Sequence, residues 1–408
     1  MKLDDAWRIT NVTSFEYQNK YAKDWMQVSR GITVIGIEST STEFTCDVCK
    51  GAASVKQIRT RNFRHVRGYG FDTMLRVRIP QILCRSCGTV KAVNFPPARE
   101  FVSYTMEFER NVIRLMTGGT VADVSEEMCV GPWVVWDIVV HWVSQALDSL
   151  DLSHVTMITI DETSFRKGQN FVTVVCDQNR RLIFMCEGKG KGTVKLFAEW
   201  LRSHKGDPEN IKVVCSDMSQ AYEAGVADYL GNAVQIFDKF HIFKLLNEDM
   251  DRIRKRLLRS TSQEDRKRMG NIRFTVFKHQ SNMDEDDIER MDSIRLVNPE
   301  LALAYDMKET LFSLYEQAGK EQALRFFHDW WEWVSNEGPM ELKKRAMLLS
   351  EKLDKILSWY DYQMTNAFAE GVNSKIQKIK ADGCGYTNVG NFVMVCFLKL
   401  GNLDIDVQ

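Results

Sequence analysis

The sequence predicts a multidomain α/β protein: an α/β core split by a large all-helical insertion, preceded by a cysteine-bearing β segment and a helical domain. Three observations carry this prediction. Two C-x-x-C pairs, Cys46/Cys49 and Cys84/Cys87, bracket a basic stretch rich in β-formers. Between Met157 and Phe237, short Val/Ile/Phe runs alternate with segments of helical period. From His241 to about Trp359 the apolar residues recur at helical spacing throughout.

Bulk properties narrow the function classes. A hydrophobic content of 44% and a charged content of 27% are those of an ordinary globular protein. No apolar run reaches the ~18 residues of a membrane span, and no signal-peptide pattern follows Met1, so the expected setting is the cytoplasm. The net charge of -1 argues against a nucleic-acid partner on average, but the charge is segregated. From Lys50 to Lys91 ten cations face one acid, Asp72, and a second basic run, Arg252 to Arg268, precedes an acidic one, Asp284 to Asp292. Such segregation suits a protein that meets a polyanion on chosen faces. Six of the ten cysteines stand alone, mostly in apolar runs, as small buried hydrophobes of a reducing compartment do.

Taken in order, residues 1–98 hold weak alternating runs such as GITVIGIEST and then the cysteine pairs, closing at Phe95-Pro96-Pro97. Residues 99–152 read as helices: Tyr104–Met116, Val121–Met128, a Cys129-Val130-Gly131 turn, and a third helix opened by Pro132. Residues 153–240 give five strands, Met157–Asp161, Asn170–Cys176, Arg181–Glu187, Ile211–Asp217 and Ala233–Phe237, with a helix over Thr193–His204. Residues 241–359 form the all-helical insertion, and residues 360–408 two more helices, Thr365–Ile379 and Asn388–Leu400.

Each C-x-x-C knuckle turns two thiolates toward one point, so Cys46, Cys49, Cys84 and Cys87 make the closed tetrahedral set that structural zinc prefers. A β-hairpin filling the gap makes this a zinc ribbon, and Arg59, Arg61, Arg64 and Arg67 on it are candidate DNA contacts. Two disulfides or idle thiols are the alternative. Helix, three-residue turn and helix over Thr120–Val143 have helix-turn-helix form, whose second helix enters a major groove in DNA readers. That helix, PWVVWDIVVHWV, is poor in Arg, Lys, Asn and Gln, so a pair that only packs or dimerises remains open.

Three acids form the candidate active site. Asp161 ends VTMITID, Asp217 ends IKVVCSD, and Glu370 sits in the helical NAFAEGVNSK. Alone, each has a bland reading: a strand-end turn, an N-cap, an exposed helix acid. In a ribonuclease H-like sheet of order 3-2-1-4-5, however, the first and fourth strands are neighbours, so Asp161 and Asp217 emerge side by side and Glu370 arrives from a packed helix. Asp238, ending the fifth strand, is the rival to Asp217.

The motifs ITIDE, CSDMSQAY, DKFHIFK and NAFAEGVNSKIQKIK…GYTNVGNF, with the paired cysteines and the helix-turn-helix, resemble the DDE transposases of bacterial insertion sequences, in the ISL-three group, over nearly the whole chain. The resemblance implies that Asp161, Asp217 and Glu370 bind two magnesium or manganese ions for DNA cleavage and strand transfer. It implies binding to the element's inverted-repeat ends and to target DNA as a dimer or higher oligomer, in the cytoplasm or on the nucleoid. One departure stands out: Ala381-Asp382-Gly383-Cys384 occupies a turn where the family usually carries a basic residue. His241 and Lys244, one helical turn apart, are candidates to clamp a phosphate, against a His241 merely satisfied by Asp238. The Trp330–Trp333 cluster reads as insertion core more than as a base-stacking platform, and Arg252–Arg268 as a DNA track or a solvated face. Two other functions stay open: a transposase-derived DNA-binding protein without cleavage, and a metal-dependent nuclease on the same fold.

Overall fold

The computed structural model describes residues 5–17, 30–68, 71–166, 170–269, 272–363 and 367–407; at 15–17, 30, 268–269 and 367–370 it describes the backbone alone. The chain divides into two compact units, Met1–Leu150 with Ile379–Gln408, and Asp151–Lys378.

The first unit is built on a six-stranded sheet of β1 (Trp7–Tyr17), β2 (Arg30–Ser39), β3 (Phe44–Thr45), β4 (Ala52–Gly68), β5 (Phe71–Cys84) and β6 (Val90–Ala92), in the order β1-β2-β5-β4-β3 with β6 also paired to β5. β5 alternates cleanly: Leu75, Val77 and Ile79 are buried while Arg76 and Arg78 are exposed. With Trp7, Ile37, Phe63, Phe95 and Ala98 these residues make the core of one sheet face.

Three helices follow, α1 (Met106–Met116), α2 (Val121–Met128) and α3 (Pro132–Asp148). Thr120 caps α2 through a capping box with Asp123, Cys129 ends it in the left-handed region, and Pro132 opens α3. The apolar character that made α3 odd as a DNA reader has a packing reason. Val134, Val135, Ile138, Val139, Trp142, Val143 and Leu147 are all buried, and α3 packs on α1, α2 and the chain's last helix, α16 (Val389–Leu400). The sequence groups residues 360–408 with the α/β core; in the fold, residues from Ile379 onward belong with the first unit, where Lys399 donates to the Gly119 carbonyl (2.8 Å).

The second unit holds a five-stranded sheet of β7 (Met157–Ser164), β8 (Phe171–Asp177), β9 (Leu182–Glu187), β10 (Val213–Ser216) and β11 (Val234–Phe237), ordered β11-β10-β7-β8-β9. β7, β8 and β9 are antiparallel neighbours, and β10 and β11 run parallel to β7. Helices α4 (Lys191–Ser203) and α5 (Gln220–Tyr229) pack closely because position 225 is glycine: a Cβ there lies 2.9 Å from Val194 Cγ2.

The insertion comprises α6 (Lys239–Ser260), α7 (Gln263–Met269), α8 (Ile272–Thr275), α9 (Glu285–Val297), α10 (Pro299–Phe312), α11 (Lys320–Glu337), α12 (Met340–Glu351), α13 (Leu353–Leu357) and α14 (Trp359–Tyr362). Its core includes Leu246, Tyr305, Phe327 and Trp330, with Trp331 and Trp333 packed against it. Trp330 donates to the Met307 carbonyl (2.8 Å), so the aromatic cluster is core. The chain then enters α15 (Ala367–Asp382), the helix that returns to β7.

Candidate active site and zinc centre

Strand register builds the active-site edge. The pairs Val213↔Met157 and Cys215↔Thr159 in β10 and β7, carried two residues further, set Asp217 level with Asp161. The pairs from Val213↔Val234 to Ser216↔Phe237, carried one further, set Asp238 level with Asp217. Three carboxylates thus lie level across three adjacent parallel strands ~4.8 Å apart. Asp217 and Asp238 follow the last residues of β10 and β11, whereas Asp161 sits inside β7, which runs on to Ser164 beyond its expected end. They differ in exposure: Asp161 and Asp217 are partly buried, whereas Asp238 is wholly buried and accepts a hydrogen bond from His241 Nδ1 at 3.1 Å. The rival acid is therefore engaged inward.

Burial pushes the Asp161 carboxyl up to about 6, with the charges of Asp217 and Asp238 adding to it and His241 and the Glu162 amide opposing. The hydrogen bond to Asp238 raises His241, helped by the charges of Asp161 and Asp217. These mutual shifts mark one electrostatic site. Glu162 sits next to it with its carboxyl raised by burial and bonded by Tyr222. Lys244, a turn beyond His241, is exposed.

α15 docks on β7 through two side chains that the sequence reading did not single out. Asn373 Nδ2 donates to Asp161 Oδ2 (2.7 Å), and Gln377 Nε2 donates to Thr163 Oγ1 (2.5 Å) and the Ser164 carbonyl (3.0 Å). The signal was present: Glu370, Asn373 and Gln377 fall at i, i+3 and i+7, one face of a helix. Glu370 lies on the backbone of α15, but its side chain is outside the described residues. Asn373 Oδ1 is buried without a hydrogen-bond partner, which leaves an oxygen donor at a carboxylate-lined edge. An all-oxygen set of this kind fits a hard divalent cation.

Among the described residues, the four cysteines make the one cluster of three or more metal-ligating atoms lying within 4.8 Å of one another. All four are free thiols, with Cys46 Sγ 3.7 Å from Cys87 Sγ and Cys49 Sγ 3.3 Å from Cys84 Sγ. Sulfurs around a tetrahedral zinc stand roughly 3.8 Å apart, so the cluster is compatible with a structural zinc. The Thr89 hydroxyl and amide hold the Cys87 thiol down at about 6, toward the thiolate that binds metal.

The four arginines expected on the ribbon divide. Arg64 and Arg67 both bind the buried Asp72 (3.1 and 2.9 Å), and Arg67 also pairs with Glu127 on α2 (3.1 Å). Arg61 lies over the Phe63 ring and donates to the Val102 carbonyl (2.8 Å). Only Arg59 of the four stands exposed and without an ion pair among the described residues. The basic run of α6 is likewise neutralised in part: Arg252 pairs with Asp249, Arg254 and Lys255 with Asp251, and Arg256 with Glu300 and Glu341.

Comparison with known proteins identifies the family. Residues 158–396 match the ISL3 family of DDE transposases, whose description is "Transposase". The transposase for insertion sequence element IS1001 of Bordetella parapertussis is 23% identical over 384 residues, 92% of this chain and 93% of its own length. The transposase for insertion sequence element IS1557 of Mycobacterium tuberculosis is 23% identical over 368 residues, 83% of this chain and 81% of its own. With more than half its length matched to the family, the chain belongs to the ISL3-type DDE transposases.

Proposed function

We propose that this insertion-sequence transposase binds the inverted-repeat ends of its element and performs DNA cleavage and strand transfer at Asp161, Asp217 and Glu370. The observation that carries the reading is the parallel register that sets Asp217 level with Asp161, with α15 anchored on Asp161 through Asn373. The sheet order, with the first strand of the unit central and flanked by the second and fourth, supports a ribonuclease H-like core.

Asp161, Asp217 and Glu370 would hold two magnesium or manganese ions, with Asn373 Oδ1 an additional oxygen donor. Ions held there would supply Lewis-acid activation of a water or 3′-hydroxyl nucleophile and charge stabilisation for the leaving 3′ oxygen. Asn373 holds Asp161 in one orientation. Asp238 fixes the Nδ1 side of His241, which leaves Nε2 to face a DNA phosphate; exposed Lys244 extends that contact. The cysteine cluster holds the ribbon together through zinc and takes no part in catalysis.

In a magnesium-dependent assay on end-containing DNA, Asp217→Asn lowers cleavage by more than about 100-fold, beyond the cost of losing an outer-sphere ligand partner, while end binding is retained. Undiminished cleavage by this variant sinks the enzymatic assignment.

A further inference from the structure

The first unit's sheet packs its core on one face, and among the described residues part of the opposite face is exposed. Paired residues in a ladder share a face and successive residues alternate, so Phe63, Leu75, Val77 and Ile37 lie on the core face. Two complete rungs cross the opposite face over four strands. One runs Arg8–Glu38–Arg78–Thr60 and the next Asn11–Gly36–Arg76–Asn62. Arg8, Arg76, Arg78, Asn11, Thr60 and Asn62 are all exposed.

We infer that this open sheet face, rather than α3, carries the phosphate contacts of the first unit to duplex DNA; the inference rests on the DNA-binding reading above. The face spans about 14 Å, three inter-strand spacings. Three arginines meet a single carboxylate, Glu38, bound by Arg8 Nε (3.0 Å) and Arg78 Nη1 (3.2 Å). Exposed ion pairs of this kind are weakly held and exchange readily for phosphate. Arg76 has no acid beside it on its rung, and its neighbours Asn11 and Asn62 carry amides that donate to phosphate oxygens. The exposed positions of α3 have the opposite character: Trp133, Asp137, Gln145 and Asp148 offer two acids and no cation. Two of the four ribbon arginines offered by the sequence, Arg64 and Arg67, are committed to Asp72.

The test is binding of the full chain to a labelled mixed-sequence DNA duplex across a salt series. Arg76→Ala/Arg78→Ala weakens binding about tenfold and makes the plot of log affinity against log salt shallower by about two, one for each lost phosphate contact. Glu38→Gln frees Arg8 and Arg78 and tightens binding severalfold, which a merely structural role does not predict. Gln145→Ala changes neither quantity. A wild-type slope and affinity in the double variant, with zinc content and circular dichroism intact, overturns the inference. If the double variant does not fold, a Glu38→Gln chain that binds no tighter than wild type overturns it instead. A wild-type chain that binds no duplex overturns the DNA reading itself and this inference with it.

Discussion

Asp161, Asp217 and Asp238 are chemically alike, and their surroundings separate them. Asp238 is buried against His241, while Asp161 and Asp217 stay half-buried, where a ligand can reach them. These acids were legible in the sequence because each follows an apolar run. Asn373 and Gln377 showed only a helix face shared with Glu370, since an amide on a helix has no chemical signature until the strand it bonds is known. The partners of the ribbon arginines were hidden for a related reason. Sequence displays charge but not partners, and the lone acid of the basic stretch, Asp72, holds two of them. At the cysteines, Cys84→Ser removes a buried thiolate from the quartet. Metal analysis then finds less than one zinc per chain, and hydrogen exchange finds the amides of β3–β6 deprotected. Full zinc occupancy in this variant removes the ligand assignment.

Among the elements, those with strong end signals matched their expected bounds: the capping box of α2 and the proline opening α3 left little freedom. β1 and β2 were harder to read, because exposed polar and β-branched residues on the open sheet face blur the alternation. Within the insertion, α6 and α12 are joined by a buried ion pair, Arg345 Nε to Asp249 Oδ2 (2.6 Å), with Arg252 on the other carboxylate oxygen (2.7 Å). Arg345→Ala leaves Asp249 with one partner, itself largely exposed, and destabilises the contact by about 2–3 kcal/mol, somewhat less than the loss of all compensation. Faster hydrogen exchange in α6 and α12 reads this directly; unchanged exchange means that Arg252 alone suffices.

Across the whole molecule, the order of the second unit's sheet is the 3-2-1-4-5 that a ribonuclease H-like sheet was expected to have. The placement of the last helix was not expected. α16 is apolar enough to belong to any core, and only its long-range packing on α3 assigns it to the first unit. The molecule thus places its zinc-compatible ribbon and open sheet face in one unit and its acidic edge in the other. Asp161, Asp217 and Glu370 are proposed to form one two-metal site. Crystals of the full chain with end DNA, soaked in manganese, test it by anomalous scattering. The expected result is two peaks about 4 Å apart, liganded by Asp161, Asp217 and Glu370. Peaks liganded by Asp238 in place of Asp217, or no peak at these carboxylates under conditions that support cleavage, would contradict it.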